Sequence, residues 1–209
     1  MEDIVAPQLR DLIDEIEVAW LMSRYGPSRR LHMSVAMNET EFAYWWQKLV
    51  QQRNRRGEVV LAIQRADGNV LLHTKSFYPA GLYRLPTGGV FPWEKVLFGA
   101  RREAKEETGF DIRIVRVAGI ITYHFHNGGR HMPFVSYVLL ARADDMQPAV
   151  ADTEEHISDF RFIPPSQLRH IAQTLRQLNG PLAGWGAFRA PSHDLVADAL
   201  DECGGEVKR

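Results

Sequence analysis

The sequence predicts an α/β protein, helices sandwiching a mixed β-sheet, and three observations predict it. Val59 to Arg65 and Val70 to His73 are β-rich runs separated by Asp67-Gly68, a strong hairpin signal. Ile112 to His126 reads as one or two further strands, and Phe134 to Ala141 as another, with Asn127-Gly128-Gly129-Arg130 as the turn between them. Between these two sets lies a stretch of helical spacing, whose Val96, Leu97, Ala100 and Ala104 make a narrow apolar stripe. Two alanines in that stripe let a helix approach a sheet closely.

The flanks are helical. Leu9, Leu12, Ile13, Ile16 and Trp20 recur at helical spacing, with Pro7 near the start and Gly26-Pro27 as the stop. A second helix begins at Asn38, where Glu41 completes a capping-box pair, and carries Phe42, Trp45, Trp46, Leu49 and Val50 up to Gly57. Packing on the sheet accounts for these aromatics; a homodimer surface or a substrate-pocket wall is the alternative. Arg53, Arg55 and Arg56 read as the basic end of that helix. After Pro164-Pro165, Ser166 is placed to cap a helix bearing Leu168, Ile171, Leu175 and Leu178. A loop with Trp185 then leads to a short helix from Ser192 to Leu200, and the tail from Cys203 to Arg209 is expected to fray. The expected organisation is an N-terminal helical extension over 1–57, a principal domain over 58–165 and a C-terminal helical extension over 166–209.

The central helix breaks a local rule. Glu103, Glu106 and Glu107 lie three and four residues apart, which stacks their carboxylates on one face. The helix ends at Gly109, suited to the left-handed position after a helix C-terminus. Negative charge at that end opposes the macrodipole. A salt-bridged surface helix does not explain it. Arg101 faces Lys105 and Glu103 faces Glu107, both like-charge pairs costing about 0.2–0.5 kcal/mol each. Only Arg102 with Glu106 is opposite, in the less favourable orientation. A divalent cation outside the helix is the natural compensator. Upstream, Leu85-Pro86-Thr87-Gly88-Gly89-Val90 reads as a strand end entering a glycine turn, where backbone carbonyls come close to a ligand. Carboxylate and carbonyl oxygens suit hard cations. The absence of Cys and His between Gly88 and Phe110 argues against structural zinc.

This segment resembles the Nudix box, G-x5-E-x7-R-E-U-x-E-E-x-G-U, with U aliphatic or bulky apolar. Gly88, Glu94, Arg102, Glu103, Ala104, Glu106, Glu107, Gly109 and Phe110 fill every defined position in register. Phe91 stands where many members are polar or acidic, and Trp93 replaces a frequent Gly; neither removes a ligand. The resemblance, covering about 58–165, implies a Nudix-type α/β/α sandwich. It also implies hydrolysis of a nucleoside diphosphate linked to another moiety, by water attack on phosphorus with Mg²⁺ or Mn²⁺. In similar proteins the positions of Glu103, Glu106 and Glu107 bind metal or help activate water. Arg102 by the same analogy braces a glutamate, and the Gly88 carbonyl joins the metal shell. Which glutamate is the base stays open. Phosphoryl transfer asks mainly for positioning and charge neutralisation, in keeping with such a site. The stretch 152–157 before Phe160-Arg161-Phe162 is similar to the family's acidic loop, so Glu154 or Glu155 is a candidate further acid; a solvated acidic loop weighs equally. Arg84, Tyr123 and Arg130 are candidate substrate contacts. A Nudix fold used as a nucleotide sensor or regulator without turnover is the alternative, and the intact box argues against it.

Other motifs carry less. His124, His126 and His131 gather about the Asn127–Arg130 turn, where solvated histidines outweigh a metal or phosphate site. Ser192-His193-Asp194 are adjacent and cannot converge as a triad requires. ADP-ribose-type members often carry a Pro about sixteen residues past the box. Here that neighbourhood is Phe125-His126, and Pro133 lies too far along, so substrate identity is not fixed. A net charge of −1 over 209 residues gives no global drive toward nucleic acid. The partner expected is a small nucleotide-derived substrate. No signal peptide or membrane span is read, and the single Cys203 fits a reducing cytoplasm.

Overall fold

Strand pairing places every β-rich run of the sequence in one mixed seven-stranded sheet, ordered β1-β5-β6-β2-β3-β7, with β4 paired to β2. The computed structural model describes residues 7–144, 147–150 and 153–206. The strands are β1 (Arg29–Ala36), β2 (Gly57–Gln64), β3 (Val70–Lys75), β4 (Thr87–Val90), β5 (Arg113–Asn127), β6 (Arg130–Arg142) and β7 (Ile157–Ile163). β5 and β6 form an antiparallel hairpin across Gly128-Gly129, while β1 runs parallel to β5 and β2 parallel to β6. β2 and β3 meet only at Gln64 and Val70 beside the Asp67-Gly68 turn. β3 then leaves β2 to pair with β7, and β4 takes the place beside the other end of β2. That divergence opens the sheet where the glycine turn enters.

Alternation along β2 divides the core into two layers. Val60 and Ala62 join one cluster, packed with Phe42, Trp45, Phe188 and Val196. Val59, Leu61 and Ile63 join the other, with Val18, Leu21, Val96, Ala100 and Ala104. The period of two thus builds an α/β/α sandwich. One face carries α3 (Glu39–Trp46), α5 (Leu168–Arg176) and α6 (Ala183–Glu206). The opposite face carries α1 (Leu9–Leu12), α2 (Glu15–Tyr25) and α4 (Val96–Thr108). All four residues of the α4 stripe are buried, and Gly109 ends the helix at φ 74°, the left-handed position.

Several expectations from periodicity are corrected. The first helix is two helices, because the Asp14 carboxylate accepts from the Ile16 and Glu17 amides and starts α2 afresh. The apolar face rotates with that restart: Ile16 is 84% and Trp20 52% exposed, while Val18 and Leu21 are buried. The segment 1–57 is not all helical, since β1 adds a sheet edge. α3 starts at the Asn38–Glu41 capping box as expected and continues as a π-helical turn over Gln47–Gln51. Its Phe42 and Trp45 pack in the core. Ser166 caps nothing; a 3₁₀ turn, Pro165–Gln167, leads into α5, which ends before Leu178. The last helix starts at Ala183, not Ser192, and passes through Pro191 to Glu206. Proline there removes one backbone donor. Of the tail expected to fray, Cys203 to Glu206 is helical and 207–209 lies outside the described residues.

Buried polar contacts fix α4 on the sheet. The Arg56 guanidinium donates to the Glu17 carboxylate at 2.6 Å and to the Glu94 carbonyl at 2.9 and 3.2 Å. Arg56 is therefore a strut, not a free basic helix end. The other Glu17 oxygen accepts from the Val96 amide at 2.7 Å, satisfying an N-terminal donor of α4 that Lys95 leaves uncapped. Among the described residues no helix is long and apolar enough to cross a membrane.

Candidate active site

A cleft of about 920 Å³ opens where β2 and β3 part. Gly88, Gly89 and Glu103 form its acidic side, with Lys75 and Glu155 beside them, and Arg55, Arg84 and Arg189 also reach it. Tyr44, Phe77, Tyr78 and Trp185 supply an aromatic side. Tyr44 comes from α3 and Trp185 from α6, so the chain on both flanks of the box builds this wall. Tyr78 and Trp185 rings meet at 5.0 Å, and Phe77 packs edge-on to Tyr78 at 5.0 Å.

Arg102 organises the acidic face of α4. Its Nε and Nη2 grip the two Glu94 oxygens at 3.0 Å each, and Nη2 also donates to the Gly89 carbonyl at 2.8 Å. Nη1 donates to Glu103 at 2.8 Å and to Glu106 at 2.9 Å. Planar, forked donors make such multiple gripping a property of arginine that lysine lacks. The guanidinium also lies 4.6 Å from the Phe91 ring centroid, and Phe91 stacks on the exposed Trp93. The unusual aromatics of the box loop thus cover the brace without entering the cleft.

The glutamates differ in environment. Glu106 is partly exposed, whereas Glu103 and Glu107 are buried. Burial pushes the Glu103 carboxyl up to about 7, against the pull of Arg102. Burial pushes Glu107 up to about 8, against the fields of Arg84 and Lys75. Neither Glu107 oxygen has a hydrogen-bond partner. The Lys75 ammonium stands 3.5 Å from one, and His73 Nδ1 3.8 Å from the other. His73 is itself fully buried on β3 with both ring nitrogens unpartnered. Lys75 makes its closest contact, 2.7 Å, with Glu155.

Two observations test whether these residues suit a divalent metal. The first is Glu107, a buried carboxylate left without a donor, which ordinary folding disfavours strongly. The second is Gly88, where an added Cβ would stand 1.8 Å from Glu103 Cδ. Only glycine lets that carboxylate lie against the β4 backbone and its carbonyls. Among the described residues no three acidic or histidine side chains already converge as a cage. Arg102 holds Glu94, Glu103 and Glu106 instead, and Lys75 stands between Glu107 and Glu155. Magnesium needs only one or two carboxylates with water in the rest of its shell, so the donor set fits in its chemistry.

The other residues marked from sequence fall as follows. Arg84 reaches the cleft but is buried, donating to Tyr78 Oη at 2.9 Å, the Leu85 carbonyl at 2.7 Å and Thr87 Oγ1 at 2.9 Å. Tyr123 as a substrate contact is corrected: it is buried in the core, and its hydroxyl donates to the Phe188 carbonyl at 3.0 Å. Arg130 pairs with Glu39 over the Phe42 ring, outside the cleft lining. Glu155 lines the cleft, while Glu154, its neighbour in the Thr153–Glu155 turn, does not. His124, His126 and His131 cluster on the sheet away from the cleft, with ring centroids 5.1 and 6.1 Å apart. Ser192-His193-Asp194 form no triad. His193 Nε2 accepts from the Leu85 amide, and Asp194 pairs with Arg176. Sequence reasoning missed His73, Lys75, Glu58 and Arg189. Only the β-run ending in Leu72-His73-Thr74-Lys75 offered a signal, polar residues closing an apolar strand.

Comparison with known proteins bears on family and fold. A model of the NUDIX domain matches residues 53–182. Nudix hydrolase 6 of Arabidopsis thaliana is 35% identical over 71 residues, 34% of this chain and 23% of that protein. The match therefore spans under a quarter of that relative's length. The crystal structure of a C. elegans Ap4A hydrolase binary complex superposes with a TM-score of 0.50 at 20% identity. It covers 71% of this chain and 98% of that one.

Proposed function

The chain belongs to the Nudix family, and from that premise we propose that it is a pyrophosphohydrolase that uses Mg²⁺ or Mn²⁺ to cleave nucleotide-derived diphosphates. The observation that carries this reading is Glu107, a fully buried carboxylate whose oxygens have no hydrogen-bond donor, beside Glu103 and Gly88. Glu103, Glu106, Glu107 and the Gly88 carbonyl would hold the metal. A bound divalent ion supplies charge neutralisation at phosphoryl oxygens and lowers the pKa of water.

The chain's own groups account for the remaining work. Arg102 is a positioning residue: it fixes Glu103 and Glu106 relative to β4 and keeps Glu94 from the cleft. Arg84 and Arg55 present positive charge along the cleft, where phosphates of a substrate need it. Burial holds the Glu103 carboxyl up to about 7 without a metal, a cost that a bound divalent ion would offset. The aromatic side formed by Tyr44, Phe77, Tyr78 and Trp185 offers stacking area for a base. The exposed free thiol of Cys203 agrees with a reducing, cytoplasmic setting.

The test is hydrolysis by the full chain, with Mg²⁺ or Mn²⁺, of nucleoside triphosphates, nucleotide sugars, ADP-ribose, dinucleoside polyphosphates, NADH and capped RNA. Metal-dependent turnover of at least one substrate, abolished by Glu106→Gln or Glu107→Gln in folded protein, is expected. Tight nucleotide binding with no turnover across the panel would instead make the chain a sensor.

A further inference from the structure

Lys75 occupies an unusual place for a cation. It ends β3 with its side chain only 12% exposed, its ammonium 2.7 Å from Glu155 and 3.5 Å from Glu107. Glu155 comes from the turn before β7, so one lysine joins Glu107 of α4 to the loop that precedes that strand. For the otherwise unpartnered Glu107, this ammonium is the nearest neighbour of opposite charge, at 3.5 Å against 3.8 Å for His73 Nδ1. Five carboxylates, Glu94, Glu103, Glu106, Glu107 and Glu155, stand against four cations, Arg55, Arg84, Arg102 and Lys75. Glu58 and Arg189 cancel each other nearby.

We infer that Lys75 is a resident cation that competes with the divalent metal for Glu107 and Glu155 and thereby limits how tightly the metal is held. The inference rests on the metal site proposed above. An ammonium at 3.5 Å satisfies Glu107 only in part, so the carboxylate stays available, yet any ion bound there must share it with a fixed positive charge. Repulsion between a divalent ion and a unit charge a few ångström away is strong in a partly buried site. Weakening of this kind keeps metal and product release reversible. Neutralising Lys75 therefore makes metal binding tighter, opposite to the loss expected if Lys75 merely supported the site's structure.

The experiment is a Mn²⁺ titration of the full chain, with free Mn²⁺ followed by electron paramagnetic resonance, for wild type, Lys75→Gln and Lys75→Arg. Wild type binds Mn²⁺, Lys75→Gln binds it about tenfold tighter, and Lys75→Arg stays within about twofold of wild type, its charge being kept. Equal or weaker binding by Lys75→Gln overturns the inference while leaving the metal site standing. Absence of Mn²⁺ binding by wild type overturns the metal site and the inference with it. Should Lys75→Gln fail to fold, reductive methylation of Lys75 in wild type decides the matter. A faster reaction in the presence of Mn²⁺, as the ammonium is released from Glu107, supports competition; an unchanged or slower one refutes it.

Discussion

Glu58 and Glu107 are both buried glutamates at the cleft, one on β2 and one on α4, and the fold treats them in opposite ways. Glu58 takes two hydrogen bonds from Arg189 Nη1, at 2.7 and 2.8 Å, and a third from Ser136 Oγ at 2.8 Å. Glu107 takes none. A buried carboxylate with donors on both oxygens is a finished structural contact, fastening α6 to the sheet. A buried carboxylate without donors retains its capacity to bind, at a desolvation cost that the rest of the fold offsets. The comparison separates the stabilising side of the cleft from its reactive side.

Substitution should expose that difference in two separate measurements. Glu107→Gln is expected to lower metal-dependent turnover by roughly 10²- to 10³-fold, with a urea midpoint close to wild type, because Glu107 has no hydrogen bond to lose. Glu58→Gln should do the reverse. Leaving the Arg189 charge buried without its anion is expected to cost about 3–5 kcal/mol in urea unfolding. Turnover per folded molecule should fall far less than in Glu107→Gln. If Glu58→Gln left stability unchanged, the two glutamates would not be partners in contrast.

Stability against pH sharpens the same contrast on the α6 side. His193 is fully buried there, donating from Nδ1 to the Arg189 carbonyl at 3.0 Å and accepting the Leu85 amide on Nε2 at 3.1 Å. Burial, aided by the fields of Arg84 and Arg189, pushes this imidazole down to about 3. An unfolded histidine titrates near 6.5. The folded value is the lower one, so the contribution is complete above about 6.5 and is lost as pH falls toward 3. Between pH 7 and pH 5 this group alone removes about 2 kcal/mol. Urea midpoints should therefore decline over that range in wild type and decline less in His193→Gln. The smallest effect belongs to Trp93, which is 80% exposed. Trp93→Ala should change unfolding free energy by no more than about 0.5 kcal/mol.

What the sequence disclosed and what it hid follow the range of the contacts involved. The α4 stripe, the Gly109 terminus, the Asn38 cap and the Gly128-Gly129 hairpin are local patterns, and each was legible. So was the acidic face of α4, because its like-charge spacing contradicts helix chemistry within a single turn. β1 was not legible: Arg29 to Ala36 is an edge strand with exposed alternate residues, and among the described residues it pairs only with β5, about ninety positions later. α6 was misjudged because Pro191-Ser192 imitates a helix start, while tertiary packing of Phe188, Leu195 and Val196 carries the helix through the proline. The Glu58–Arg189 pair spans 131 positions, and no local spacing encodes it. Tyr123 shows the converse error. It was a candidate substrate contact, but the inward phase of β5 buries it.

The claim that Glu107 is kept unpartnered for a cation is tested most directly by anomalous diffraction from crystals soaked in Mn²⁺. A peak is expected within about 2.0–2.3 Å of a Glu107 oxygen, close to Glu103 and Gly88, with the Glu58–Arg189 pair undisturbed. A manganese peak elsewhere in the cleft, with Glu107 still lacking a partner, would contradict it.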